Sequence, residues 1–182
     1  ADFHVCDFSA RGERRREKFV ALTLGLSEWR GEDRFAADIA VGIAKHHRDL
    51  PLEVTTASMA EATLPAWFTG KLDFKPTPPK LEDGGARMIG ARLSHLREWP
   101  AAYFRYALPR GNAGLFIVDD PSGKFGTAGR EVQVGQDTIR LANAKGYNVA
   151  VWRQDEIVYS LVSDLDEGDL FKLVRAARAD HH

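Results

Sequence analysis

Residues 87–118 read RMIGARLSHLREWPAAYFRYALPRGNAGLFIV, and this stretch decides the fold class. It contains three runs typical of β-strands, at 87–96, 101–108 and 114–118. The short segments between them, 98–100 and 109–112, carry Pro100 and Gly111, residues that suit tight turns. Strands joined by such short turns are antiparallel neighbours, so the stretch predicts an antiparallel meander.

A second group of elements follows this meander. Residues 148–152 and 157–162 predict two strands, joined as a hairpin by 153–156. A helix is expected next, with Ser163 or Asp166 accepting backbone N–H bonds at its start. Its apolar face comprises Leu170, Leu173, Val174 and Ala177.

The segment before the meander predicts a helix, a strand and a second, shorter helix. Residues 32–48 form an amphipathic pattern, in which Phe35, Ile39 and Ile43 recur every four residues. Pro51 biases Leu50 away from helical geometry, so we expect this helix to end near Asp49. The apolar run 19–26 fits a helix or an edge strand, and we take it as a helix. The remaining predictions are a strand at 52–56, a short helix at 59–72 and an extended segment at Pro76, Pro78 and Pro79.

The stretch 119–135 is rich in glycine and polar residues, so we expect a long exposed loop there, with a short strand at 131–134. It is also where we expect the most disorder. Taken together, the elements predict an α+β fold, an antiparallel sheet with helices packed on one face. We expect residues 31–180 to form this domain and residues 1–30 to be a helical N-terminal extension.

Composition restricts the classes of partner. The chain has 182 residues, 44% hydrophobic and 28% charged, which is ordinary globular usage. Its formal net charge is −1, so no broad positive field predicts nucleic-acid binding. Cys6 is the only cysteine, which excludes an internal disulfide. No apolar stretch approaches the roughly 20 residues that span a bilayer, so we expect any membrane anchor to lie outside these residues.

Patterns for catalysis are incomplete, and we predict that the chain is not an enzyme. Ser94 and His95 are adjacent in a predicted strand, so their side chains point to opposite faces and cannot easily share a proton. Gly123 and Lys124 lack the other residues of a phosphate-binding loop. The acids Asp164, Asp166, Glu167 and Asp169 suit the first turn of a helix better than a calcium loop.

We predict no cofactor, and histidine leaves one weak metal hypothesis. His4 and Cys6 alternate near the start of the chain, while His46 and His47 end the predicted helix 32–48. Imidazole suits copper, zinc or nickel. Neighbouring helical positions do not face one site, however, so surface or hydrogen-bonded histidines are the alternative. Trp29, Trp67, Trp99 and Trp152 fit core packing better than a binding groove.

Three segments resemble the extracytoplasmic half of predicted transmembrane anti-sigma factors, also called transmembrane transcriptional regulators. Residues 62–74, ATLPAWFTGKLDF, are similar to the family pattern H-T-V-K-P-W-F-x-G-K-L-D-F. Residues 88–96, MIGARLSHL, are similar to L-V-G-G-R-L-x-x-L. Residues 146–152 and 162–165, GYNVAVW and VSDL, are similar to G-Y-x-V-x-x-W and V-S-D-L. The matching positions include Trp67, Phe68, Gly90, Arg92, Gly146, Tyr147, Trp152, Ser163 and Asp164.

The resemblance implies a periplasmic, non-catalytic regulatory domain of an inner-membrane protein. In that family a cytoplasmic segment binds an extracytoplasmic-function sigma factor, and one membrane helix joins it to the outer domain. The sigma factor and the membrane would then be contacted by parts outside this chain, with residues 1–30 on the membrane side. A regulatory protease or a periplasmic signal protein is the partner implied for the domain itself. The alternative is a ligand- or metal-binding sensor that uses the histidines. The edge strands of the predicted sheet could also pair between two copies of the chain, so a homodimer is a further alternative.

Overall fold

The structure is a computed structural model that describes residues 37–126, 129–135 and 137–179. Two α-helices are described, α1 at residues 37–49 and α2 at Glu167–Ala179. Two 3-10 helices span Glu61–Phe68 and Glu82–Gly84. The strands are β1 Val54–Thr55, β2 Arg87–Leu96, β3 Trp99–Leu108, β4 Gly111–Asp119, β5 Arg130–Val134, β6 Asp137–Ala144, β7 Tyr147–Gln154 and β8 Ile157–Ser163.

All eight strands belong to one sheet in the order β1-β2-β3-β4-β8-β7-β6-β5, and every neighbouring pair is antiparallel. The first four strands and the last four strands each form a meander. The two meanders meet at β4 and β8, where Phe116 is opposite Ser160. The α+β class and the antiparallel meander predicted from the sequence are therefore confirmed.

The two helices lie on opposite faces of the sheet, where the sequence predicted helices on one face. Helix α2 packs through Leu170 and Leu173 against the same core as Phe104 and Leu115. Helix α1 packs through Ile39 and Ile43 against the core on the other face. The reason is visible in β4, where every residue of the run 113–118 is buried. A strand that is apolar on both sides needs cover on both sides.

The short elements deviate locally from their predicted boundaries. The helix predicted at 59–72 is a 3-10 helix confined to Glu61–Phe68, with Pro65 inside it. The first turn of the meander consists of residues 97–98, because Arg97 adopts a φ of 56° and Pro100 already pairs with His95 within the sheet. The predicted starts at 101 and 114 are therefore two and three residues late. The predicted helix 19–26 and extension 1–30 lie outside the described residues.

The predicted loop 119–135 contains much more fixed structure than expected. Asp119 belongs to β4, and β5 contains the short strand predicted at 131–134. Between them, the buried carboxylate of Asp120 accepts hydrogen bonds from the backbone N–H groups of Lys124 and Phe125, at 3.2 and 2.9 Å, and pairs with Arg153. Residues 120–126 are thus held to the sheet by Asp120 and by Phe125, which is buried against Trp99. Strand β6 was not predicted at all.

The last helix matches its prediction closely. Asp166 Oδ1 accepts the backbone N–H of Asp169 at 2.9 Å, so Asp166 is the N-terminal cap. The four predicted apolar residues, Leu170, Leu173, Val174 and Ala177, are all buried. Within the described ranges, no helix is long and apolar enough to cross a membrane.

Candidate functional site

Three of the buried polar side chains in the described part of the chain, His47, Arg92 and Ser94, lie where the C-terminal end of α1 meets β2 and β3. Side chains on a strand alternate between faces, so Arg92 and Ser94 on β2 point to the same side as Tyr103 and Arg105 on β3. Arg92 and Tyr103 are direct cross-strand partners. All four side chains contact the last turn of α1. We call these four residues, together with His46 and His47, the α1 clamp.

His47 is the buried centre of the α1 clamp, with only 5% of its surface exposed. Its Nδ1 lies 2.8 Å from the hydroxyl oxygen of Tyr103, and its ring meets that of Tyr147 edge-on at 5.4 Å between centroids. Burial, together with the nearby charge of Arg105, lowers the pKa of His47 to about 4. Burial also raises the pKa of Tyr103. At neutral pH this pair is therefore uncharged.

Two arginines bind the carbonyl groups at the end of α1. Arg92 donates from Nη2 to the carbonyl of His46 at 2.8 Å, and Arg105 donates from Nη2 to that of His47 at 2.5 Å. The last carbonyls of a helix have no partner within the helix and carry partial negative charge, so cations are favourable there. Among the described residues, no carboxylate forms an ion pair with either arginine.

The ring of Tyr103 supports both guanidinium groups. Arg92 Cζ lies 4.6 Å from the ring centroid and Arg105 Cζ lies 5.8 Å from it, distances at which a cation is attracted by an aromatic ring. Arg105 Nε also donates to the Tyr103 hydroxyl at 3.1 Å. Arg92 is only 3% exposed, and its Nε has no hydrogen-bond partner among the described residues. The site therefore holds two positive charges in a largely buried position.

Gly114 on β4 makes the close approach of His47 and Tyr103 feasible. A Cβ atom at this position would lie 2.5 Å from His47 Nδ1 and 2.6 Å from Tyr103 Cε2. Only glycine leaves that space empty. Sequence reasoning missed this residue, and its presence inside a predicted strand was the signal that could have indicated a close contact.

The structure gives Ser94 a different histidine from the one adjacent in sequence. Ser94 is buried, and its Oγ lies 3.1 Å from His46 Nδ1. His95 is exposed on the opposite side of the strand, as strand geometry predicted. Burial lowers the pKa of His46, and the charge of Arg92 adds to this shift. Among the described residues no carboxylate hydrogen-bonds to His46, so no third group is placed to orient it for nucleophilic catalysis.

The histidines proposed as metal ligands do not face one another. His46 faces Ser94 and His47 faces Tyr103, while His4 and Cys6 lie outside the described residues. Within residues 37–126, 129–135 and 137–179, no three His, Cys, Asp or Glu side chains are grouped to hold a metal ion.

The first family-like segment forms a compact local unit. Phe68 is fully buried and meets Phe104 of the sheet at 5.3 Å between ring centroids. Gly70 adopts a φ of 77°, which reverses the chain after the 3-10 helix. Lys71 then folds back, with Nζ donating to the carbonyl of Trp67 at 2.8 Å and lying 4.0 Å from the Trp67 ring centroid. The W-F-x-G-K pattern thus encodes the end of this helix.

The glycines of the other two segments also have structural causes. A Cβ atom on Gly90 would collide with the carbonyl of Val54, so this glycine admits the edge strand β1 at the irregularity between Met88 and Gly90. Gly146 has a φ of 85° and Lys145 a φ of 56°, which makes the β6–β7 turn a two-residue hairpin turn. Gly90 thus serves an irregularity in a strand and Gly146 a tight turn.

The remaining family-like residues lie in or beside the sheet. Trp152 is buried and stacks on its cross-strand partner Tyr159 with 5.4 Å between centroids. Ser163 donates to the carbonyl of Asn112 at 2.9 Å and fixes the end of β8. Asp164 is exposed, and its negative charge acts on His47 in the direction that raises its pKa.

Comparison of the chain with models of protein families, with curated proteins and with solved structures gave no match.

Proposed function

We propose that this chain is the extracytoplasmic regulatory domain of a membrane-anchored anti-sigma factor. Three segments similar to that family occur in the family's order, at 62–74, 88–96 and 146–165. In this proposal the domain is periplasmic, and it receives a signal rather than catalysing a reaction. The sigma factor is bound by a cytoplasmic part and the membrane is crossed by a helix, both outside this chain.

The observation that carries the proposal is the convergence of family-like residues on one helix end. Arg92 from the second segment and Tyr147 from the third both contact the last turn of α1. Asp164, also from the third segment, acts on His47 through its charge. The other six matching residues stabilise the 3-10 helix, the turns and the sheet. The meeting of these three at the end of α1 supports a role in fixing the position of this helix.

A role for α1 in signalling follows from its place in the chain. Helix α1 precedes the sheet, so under the proposal it lies between the membrane anchor and the domain. A signal that changed the position of α1 on the sheet would be transmitted directly to the membrane anchor. The α1 clamp is the set of contacts on which such a change would act.

The test is a transcriptional reporter for the cognate sigma factor in cells that carry the full-length parent. Co-purification should show a sigma factor bound to the parent with or without residues 31–180, while removal of these residues should alter reporter output. Failure to capture any sigma factor would overturn the proposal.

A point variant sharpens this test. Arg92→Ala should change reporter output, because it removes the donor to the His46 carbonyl. Arg140→Ala is the matched control, since Arg140 is an exposed arginine of the same sheet that pairs only with Glu131 among described partners. Equal output from the two variants would contradict a signalling role for the α1 clamp.

A further inference from the structure

The two edges of the sheet differ in how many of their outward backbone groups are hydrogen-bonded. On one edge, the backbone N–H groups of Glu53 and Thr56 bond to β2, and the Glu53 carboxylate accepts the N–H of Leu93 at 2.7 Å. Outward backbone groups of Ile89, Ala91 and Leu93 on β2 are therefore occupied. On the other edge lies β5, a regular strand of five residues, and no other described segment forms a backbone hydrogen bond to its outer side.

The register of the β5–β6 hairpin identifies which backbone groups face outward. Val134 pairs with Asp137 across a two-residue connection, so this closing pair carries the turn hydrogen bond. Antiparallel pairs alternate between bonded and non-bonded, which makes Val132–Ile139 bonded. The N–H and C=O groups of Glu131 and Gln133 consequently point away from β6, to the open edge.

The polar side chains of β5 are already engaged within the chain. Arg130 forms an ion pair with Glu167 of α2, and the Glu131 carboxylate accepts from Arg140 at 3.0 Å. Gln133 Nε2 donates to Thr138 Oγ1 at 2.6 Å. Unpaired charges on an edge strand normally discourage strand addition. Here both charges are neutralised by neighbours, and the side chains lie above and below the sheet rather than across its edge.

We propose that the β5 edge binds the β5 edge of a second copy of this chain, in antiparallel orientation and centred on Val132. With this centre, Glu131 of each copy is opposite Gln133 of the other, so the outward groups of both strands form bonded pairs. The two Val132 side chains meet across the two-fold axis, and no two like charges are directly opposite. The strand is therefore self-complementary, as an interface with two-fold symmetry requires. This proposal is independent of the regulatory function proposed above.

The association should be weak and reversible, because one five-residue strand from each copy buries far less surface than stable dimers do. Sedimentation equilibrium of the full chain, from micromolar to millimolar concentration, should show a monomer–dimer equilibrium. Gln133→Pro should weaken dimerisation about tenfold, because proline removes the outward N–H while the β6 ladder is unaffected. The matched control Gln133→Ala keeps the N–H and should dimerise like the original chain. A monomer at all concentrations would overturn the proposal.

Cross-linking tests the register separately, in case Gln133→Pro perturbs the fold. In a Cys6→Ser background, Val132→Cys should give a disulfide-linked dimer on mild oxidation, because residues opposite each other in a non-bonded antiparallel pair lie within disulfide reach. Thr138→Cys, on the exposed surface of β6, is the control and should stay monomeric. If the chain dimerises in solution but Val132→Cys gives no cross-link, the two copies associate through another surface. That result would also overturn the proposal.

Discussion

The two helices of this domain are attached to the sheet by different kinds of contact. Helix α2 uses a continuous apolar stripe, in which Leu170 and Val174 are completely buried, and an aspartate cap begins it. Helix α1 buries Ile39 and Ile43, but its last turn is held by hydrogen bonds from Arg92 and Arg105 and by the His47–Tyr103 pair. Both helices cover an apolar face of the same sheet.

The two attachments should respond differently to pH. Burial of apolar surface does not depend on protonation, so α2 should stay in place wherever the sheet is folded. The α1 clamp depends on a neutral imidazole beside two guanidinium groups. Protonation of His47 would add a third positive charge there, so α1 should be the helix that a change of conditions releases first.

The largest effect is expected on the α2 side, from Leu173→Ala. Leu173 is 1% exposed and packs beside Gly84 of the second 3-10 helix. Removing its buried methyl groups should lower the free energy of unfolding by about 2–5 kcal/mol. Chemical denaturation measures this, with Arg175→Ala on the exposed face of α2 as control. A loss equal to that of the control would mean that α2 is not held by its apolar stripe.

Acid should loosen the α1 side specifically. The pKa of His47 is about 4 in the folded state, below its ordinary value of 6.5, so the folded state resists protonation. Stability should be greatest above pH 6.5 and should fall as the pH decreases toward 4, by a total on the order of 3 kcal/mol. His46 shifts in the same direction. The pKa of Asp120 is also lowered in the folded state. Protonation of its carboxylate therefore reduces stability mainly at pH values below this window.

The measurement is denaturation at a series of pH values, combined with amide exchange of α1 and α2. In His47→Asn the slope between pH 6.5 and 4 should largely disappear, because the amide oxygen can accept the hydrogen bond from Tyr103 but does not titrate. Exchange of α2 amides before α1 amides as the pH falls would contradict the prediction that α1 is released first.

Gly114→Ala should give a smaller loss, about 1–3 kcal/mol, since the added methyl group would force His47 and Tyr103 apart. Thermal unfolding measures the loss, and exchange of α1 amides locates it.

Gly42→Ala is an informative counterpart within α1. Nothing lies within 4 Å of a Cβ atom at Gly42, so alanine there should stabilise the helix by up to about 1 kcal/mol. Opposite signs for the two variants would sharpen the assignment of Gly114 to the α1 clamp.

The smallest effect is expected from Asp38→Asn at the other end of α1. Asp38 accepts a bond from Arg97 at 2.7 Å, but both side chains are exposed by about half, at 56% and 41%. Ion pairs of this kind contribute at most about 1 kcal/mol. The change in unfolding free energy should also shrink in high salt. A larger loss would indicate that α1 is held along its whole length rather than at its last turn.

Much of the fold could be predicted from local sequence signals. The runs of β2, β3, β7 and β8 and the apolar face of α2 were located because each pattern is complete within a few residues. Strand β6 was missed because its run DTIRLANA contains Asp, Ala and Asn, which are depleted in strands, so the short alternation in T-I-R-L was overlooked. The fixed loop 120–126 was missed because its order comes from Asp120 and Arg153, which are 33 residues apart.

The candidate site was only partly predictable. His46, His47 and Arg92 were singled out, the histidines for metal binding and the arginine for its place in a family-like segment. Their actual partners are Ser94 for His46, Tyr103 for His47 and the His46 carbonyl for Arg92, and each pair joins elements that are distant in sequence. Gly114 signalled only that something approaches its strand closely, because the side chains that it accommodates come from α1 and β3.

Local sequence signals were sufficient for the α+β class, the meander at 87–118, the hairpin at 148–162 and the stripe by which α2 attaches, since turn residues and apolar periodicity act between near neighbours in the chain. Long-range packing was needed to place α1 on the opposite face, to hold its last turn by two arginines and a neutral histidine, and to leave β5 as an open edge. These features depend on which faces of the sheet remain uncovered and which charges are desolvated. Both are set by the packing of the whole domain.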